Sequence, residues 1–129
     1  MRSISVALLA FLAAPALLAQ PLATSQRAEI HALMAALHTS ICDFNRNDSW
    51  HNAADAKTHL LRKLDYLEAN NAVHSTEQFI ELAASKSSVS GRAYQVRCRG
   101  AAPVNSKDWL SEQLKLLRST ARPVAHVTN

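Results

Sequence analysis

The fold turns on the reading of SICDFNRNDSWHNAADAKTHLLRKL, Ser40–Leu64. The stretch holds a cysteine, a polar run and three kinds of titratable side chain. Within it Asp43 to Ser49 reads DFNRNDS, a turn composition. Asn and Asp side chains bond their own backbone, so this run is expected to end one helix and begin another. Phe44 is expected to fold back into the core. Arg46, flanked by two asparagines, has two open roles: its guanidinium can fasten the carbonyls of the turn, or it can face an anionic ligand.

On the N-terminal side, a helix is expected from Thr24 or Ser25, either of which can cap it, to Thr39. Ile30, Leu33, Met34, Leu37 and Ile41 recur at helical spacing as one apolar stripe. His31 and His38 fall off the stripe and read as surface. On the C-terminal side, a second helix is expected from Trp50 to Ala69, capped by Asp48 or Ser49 and stopped by Asn70-Asn71. Ala53, Ala56, Leu60, Leu64 and Leu67 line its buried side, with Leu61 and Tyr66 at the margins. His51, Asp55, His59 and Lys63 recur every fourth residue and stack beside that stripe. His51, Asp55 and His59 are therefore candidate zinc ligands. They are equally an ordinary ion ladder, and no H-E-x-x-H or paired-cysteine motif supplies a further ligand.

Further along, Ser75 followed by Gln78 is a capping box that opens a third helix with Phe79, Ile80 and Ala83 inward. Ser85 to Tyr94, SKSSVSGRAY, sets four serines, a glycine, Lys86 and Arg92 in one loop. That composition suits an anion-binding nest, and equally a plain connection. None of its serines lies in a G-x-S-x-G or S-x-x-K context, so serine catalysis has no support. Tyr94, Val96 and Cys98 alternate with Gln95, Arg97 and Arg99, one short extended segment with its apolar side inward. It can pair with the segment around Cys42 or near Val89 as a two-stranded ribbon. Ser106 is expected to cap a last helix carrying Trp109, Leu110, Leu114 and Leu117 until Pro123 stops it.

The ends bear on destination. Arg2 heads an apolar run from Ile4 to Leu18, too short to span a bilayer and followed by small residues, which is the pattern of a secretory signal peptide. Residues 1–23 are read as that leader, with cleavage after Ala19 or Ala23, and 125–129 as a tail. Removing them takes one of 14 basic and none of 10 acidic residues, leaving a chain of charge +3. Its charges are interspersed, and this together with export argues against nucleic acid. In an exported chain with two cysteines, Cys42 and Cys98 have one intramolecular pairing available. A crosslink over that loop contributes up to about 4 kcal/mol on a chain-entropy model.

Several ordered motifs carry a resemblance. They are S-x-C-x-F-x-R-N (Ser40 to Asn47), A-x-x-H-L-x-x-K-L (Ala56 to Leu64), T-E-x-F-I (Thr76 to Ile80), the serine loop through Y-x-V-x-C (Ser85 to Cys98) and W-L-x-x-x-L-x-x-L-R (Trp109 to Arg118). In this series the chain resembles the YfeK-like family of small exported bacterial proteins, whose function is unknown. Where an Asn-Gly turn is expected from the family, this chain has Asn47-Asp48. The resemblance implies a secreted, mostly helical protein with one disulfide and supplies no mechanism.

Together these readings predict one all-α domain over residues 24–124, of about four helices with one short extended segment or β-ribbon and one disulfide. The predicted location is the periplasm or the exterior, with no membrane span after cleavage. The candidate ligand-binding residues are Arg46, Asn47, His59, Lys63, Ser87, Ser88, Ser90 and Arg92, with no cofactor. The leading expectation is a non-enzymatic binding module whose cationic patch takes an anionic ligand, a cell-wall fragment or an envelope protein. A small hydrolase using His59 and Asp55, and a structural envelope accessory protein, are the alternatives.

Overall fold

A computed structural model describes residues 3, 7–10 and 21–121. Most of the expected leader, including the position after Ala19, and the chain from 122 onward with Pro123 and the tail lie outside the described residues. From Thr24 the element order is α1 (Thr24–Thr39), β1 (Cys42–Arg46), β2 (Ser49–His51), α2 (Ala53–Ala69), α3 (Thr76–Ala83), β3 (Gln95–Cys98), β4 (Val104–Asn105) and α4 (Ser106–Ala121). No helix among the described residues is long and apolar enough to cross a membrane.

The expected all-α class is therefore wrong. Among the described residues four helices accompany a four-stranded antiparallel sheet of order β2-β1-β3-β4, making a mixed α and β fold. The error lies in the segment quoted first. Residues 42–46 alternate inward Cys42, Phe44 and Arg46 with outward Asp43 and Asn45, so half of a real strand carries turn-like residues. Pairing with β3 outweighs that weak local preference, with Cys42 opposite Cys98, Asp43 opposite Arg97 and Phe44 opposite Val96. The extended segment ending at Cys98 and its pairing near Cys42 are as expected, but they form the centre of a sheet. The Cys42–Cys98 disulfide joins the two central strands.

The turn itself spans two residues. Asn47 and Asp48 both have positive φ, 51° and 64°, the left-handed pair that a tight hairpin requires and that Asn and Asp tolerate better than most residues. Because Ser49, Trp50 and His51 pair with β1, the second helix begins three residues later than the expected Trp50. Its cap is Asn52, whose Oδ1 accepts from the Asp55 N–H at 2.8 Å, rather than Asp48 or Ser49. Its other end stops at Asn70-Asn71 as expected. Asn71 turns left-handed at φ 50° while the Ala72 N–H returns to the Leu67 carbonyl at 2.8 Å and that of Asn71 to Glu68 at 3.0 Å.

The core lies between one face of the sheet and the helices. Ile30, Leu33, Met34 and Leu37 of α1 meet Leu60 and Leu64 of α2, Phe79 and Ile80 of α3, Leu110 and Leu114 of α4, and Phe44, Tyr94 and Val96 from the sheet side. Ile41, counted in the α1 stripe, is instead 69% exposed, because Ser40 turns extended and carries it off the helix face. Three cap expectations also change. α1 starts after Ala23 with no side-chain cap, and the buried Ser106 hydroxyl makes no bond among the described residues. The α3 box forms with a shift: the Ser75 hydroxyl accepts from Gln78 N–H at 3.0 Å, while Gln78 Oε1 accepts from the N–H of His74 at 2.7 Å.

Candidate functional site

The inward residues of β1 and β3 are paired as Cys42 with Cys98 and Phe44 with Val96, and the next inward residue of β1, Arg46, together with Tyr94 just before β3, defines a cleft. Arg46, two residues past the buried Phe44, leaves the core at the hairpin end and meets His59 of α2. Tyr94, two residues before Val96, is 2% exposed and packs against Phe44 with ring centroids 5.1 Å apart. Its hydroxyl reaches the edge of the core. Arg46, Asn47, His59 and Lys63 line one side of a cleft of about 170 Å³, and Ser87, Ser88, Val89 and Tyr94 line the other.

The polar contacts inside it have a consistent sense. The Arg46 guanidinium lies 2.7 Å from His59 Nδ1 and 3.2 Å from Nε2. Arginine can only donate, so Nδ1 serves as acceptor and the imidazole proton is assigned to Nε2. That Nε2–H donates to the Tyr94 oxygen at 3.4 Å, and Lys63 Nζ donates to the same oxygen at 3.3 Å. In this tautomer both lone pairs of the phenol are engaged, which leaves its own proton for a ligand.

Electrostatics follow from this crowding. Burial, then the charges of Arg46, Lys63, His51 and Arg62, lower His59 to about 4, so the ring is neutral near pH 7. Lys63 is held below its usual value by burial and by Arg46. Burial raises Tyr94, and Arg46 partly offsets that. Seven ion pairs form elsewhere among the described residues, and none includes Arg46 or Lys63. Two half-buried cations thus share one cleft without a carboxylate.

The candidate residues divide into two groups. Arg46, Asn47, His59, Lys63, Ser87 and Ser88 reach the cleft. Ser90 and Arg92 instead clasp the serine loop to the hairpin: Ser90 Oγ donates to Asn47 Oδ1 at 2.6 Å, and Arg92 pairs with Asp48. Ser87 is buried and its oxygen accepts from the N–H groups of Val89 and Ser90, both at 3.2 Å, so it shapes the loop. The cleft residue that sequence reasoning misses is Tyr94, which reads as an inward strand residue. Its polar tip was the available signal, since a buried phenol needs partners.

The zinc ladder does not form one face. His51 lies in β2, while Asp55 and His59 belong to α2, and His59 Nδ1 is already engaged by Arg46. No group of three or more His, Cys, Asp or Glu among the described residues is placed to hold a metal ion. His51, Asp55 and His59 do share a second depression of about 270 Å³ with Arg46 and Arg62.

Comparison with known proteins gives a family and no activity. The model of a family of unknown function, DUF5329, matches residues 24–118. The uncharacterized protein YfeK of Salmonella typhimurium strain LT2 is 37% identical over 70 residues, which are 54% of this chain and 57% of that protein. The chain thus spans little more than half the length of that relative. No solved structure matches it.

Proposed function

The chain belongs to the DUF5329 family, whose function is unknown, and from that premise we propose that it is an exported, non-enzymatic module that binds an anionic group in the Arg46–Lys63 cleft. One observation carries the reading. Arg46 and Lys63, both half-buried, line the cleft beside the buried Tyr94 hydroxyl, and no carboxylate among the described residues lines it with them. An anion would take the phenol proton and the free donors of Arg46 and Lys63 together, relieving two like charges held in partial burial. His59 serves this arrangement as a neutral acceptor that orients the guanidinium. A catalytic base is a poorer fit, because its basic nitrogen already accepts from Arg46.

Export rests on the leader pattern of residues 1–23 and on the Cys42–Cys98 bond, of a kind that persists in oxidising compartments. Of the two cleavage positions, the one after Ala19 keeps Leu22, which packs in the core. The intact mass of the exported protein should therefore place its first residue at Gln20.

Calorimetric titration of the oxidised protein with sodium phosphate, against sodium chloride at equal ionic strength, tests the binding. Phosphate should release heat that chloride does not, and the Arg46→Met/Lys63→Met double variant should lose the signal while unfolding at a similar temperature. Indistinguishable titrations of the two salts would overturn the reading.

A further inference from the structure

The anion cleft does not end at Lys63. His59, Lys63 and Ser88 also line a second depression of about 530 Å³. It runs between α2 and α3, and through these three shared residues the two spaces adjoin, with the cationic cleft at one end. Beyond Lys63 its walls become apolar. Leu67, packed on the core, forms the floor, with Tyr66, 69% exposed, on one side and Leu82, 44% exposed, on the other. Val89, 95% exposed on the serine loop, stands at the cleft's rim.

The charge at one end selects the kind of ligand. A groove of similar volume, about 570 Å³, lies between α3 and α4. Its cations are already answered, Lys107 by Glu81, Lys115 by Glu112 and Arg118 by Glu29 and Glu77. That groove leaves none of these cations unanswered to hold a headgroup. In the α2–α3 trough Arg46 and Lys63 are both unanswered, and with the Tyr94 hydroxyl they present three donors to one point. Arg62 also lines the trough and is in none of the ion pairs among the described residues. More than one positive charge suits a phosphomonoester of charge near −2 better than a singly charged carboxylate, and its three terminal oxygens can accept from several donors at once.

Resting on the anion-binding reading above, we propose that the ligand is a single-chain phosphomonoester amphiphile, its headgroup between Arg46 and Lys63 and its apolar chain laid along Leu67, Tyr66 and Leu82. The headgroup supplies orientation, and the chain supplies affinity that scales with the length removed from water. A methylene fully removed from water strengthens binding about fourfold. In an open trough, where part of the chain stays wet, a rise of about twofold per methylene is expected.

The test is a calorimetric series of inorganic, butyl, hexyl and octyl phosphate at submicellar concentration, with octyl glucoside as the uncharged control. Affinity should climb from inorganic to octyl phosphate, and octyl glucoside should bind far more weakly. Leu82→Ser and Tyr66→Ser, both at exposed positions, should flatten the climb and leave inorganic phosphate unchanged. Equal affinity across the series would overturn the amphiphile while leaving the anion site standing. A climb that Leu82→Ser and Tyr66→Ser do not touch would overturn the assignment of the chain to this trough. Octyl glucoside binding as tightly as octyl phosphate would overturn the headgroup's role, and no binding by any phosphate would overturn both readings together.

Discussion

Removing the titrating group at the centre of the cleft should change how the protein responds to acid. His59 takes a proton near its ordinary 6.5 when the chain is unfolded but only at about 4 when folded. The unfolded state therefore binds more protons across that interval. The stabilisation this gives the native state is complete above 6.5 and is lost as pH falls toward 4. Each pH unit contributes about 1.4 kcal/mol. Over the whole interval this reaches about 3 kcal/mol, and solvent reaching the half-buried ring reduces it to about 1–2 kcal/mol. Charges on every side act in the same direction: Arg46 from β1, His51 from β2, and Arg62 and Lys63 from α2. Urea unfolding at pH 7 and pH 4.5 of the natural chain and of His59→Gln isolates the effect. Carboxylates that also titrate, such as Glu29 and Glu77 held low by Arg118, contribute equally to both. The natural chain should lose about 1–2 kcal/mol more than the variant over this range. Parallel losses, or a His59 ring proton that titrates in the native state at 6.5 or above, would refute the assignment of a half-buried, charge-crowded imidazole.

Other substitutions probe the remaining supports. Replacing both Cys42 and Cys98 by serine should cost up to about 4 kcal/mol on a chain-entropy model, measured by chemical unfolding and compared with the natural chain under reductant. Tyr94→Phe keeps the packing on Phe44 but removes the oxygen that Lys63 and His59 share. It should lower stability by about 1 kcal/mol and weaken phosphate binding, and unchanged phosphate affinity would exclude the hydroxyl from the cleft's work. Arg118 ties α4 to Glu29 of α1 and to Glu77 beside the start of α3. Arg118→Ala should cost about 1 kcal/mol at low salt, fading as added salt screens the pairs.

Helices were legible where their signals were local. The α1 stripe from Ile30 to Leu37, without Ile41, the Ser75–Gln78 cap and the Asn70-Asn71 stop each occupy a few neighbouring residues, and all three appear in the structure. The sheet was not, because its cause is distributed. C-x-F-x-R at 42–46 and Y-x-V-x-C at 94–98 are mirror-related alternations, and only pairing across the chain makes the first of them a strand. Read by itself, a segment whose outward residues are Asp43 and Asn45 is indistinguishable from a turn. The same mistake displaced His51 onto a helix and created a metal ladder that β2 dissolves. For the cleft, sequence reasoning found the side chains and the serine loop but not their organiser. Tyr94 counted as apolar in an alternation, although its hydroxyl is what Lys63 and His59 address.

The position of the disulfide has a consequence for the cleft at the opposite end of the same two strands. Cys42 and Arg46 are four residues apart on β1, as are Tyr94 and Cys98 at the β3 side, a span of about 13 Å at the rise of an extended chain. A slip of one residue between the strands would swing Tyr94 to the solvent side of the sheet and leave Arg46 facing a gap. With the sulfur atoms joined at the far end, that misalignment is barred by covalent bonds. The bridge acts as a datum from which the distance to the cleft is measured, and oxidation state thereby sets the accuracy of a site that contains no sulfur.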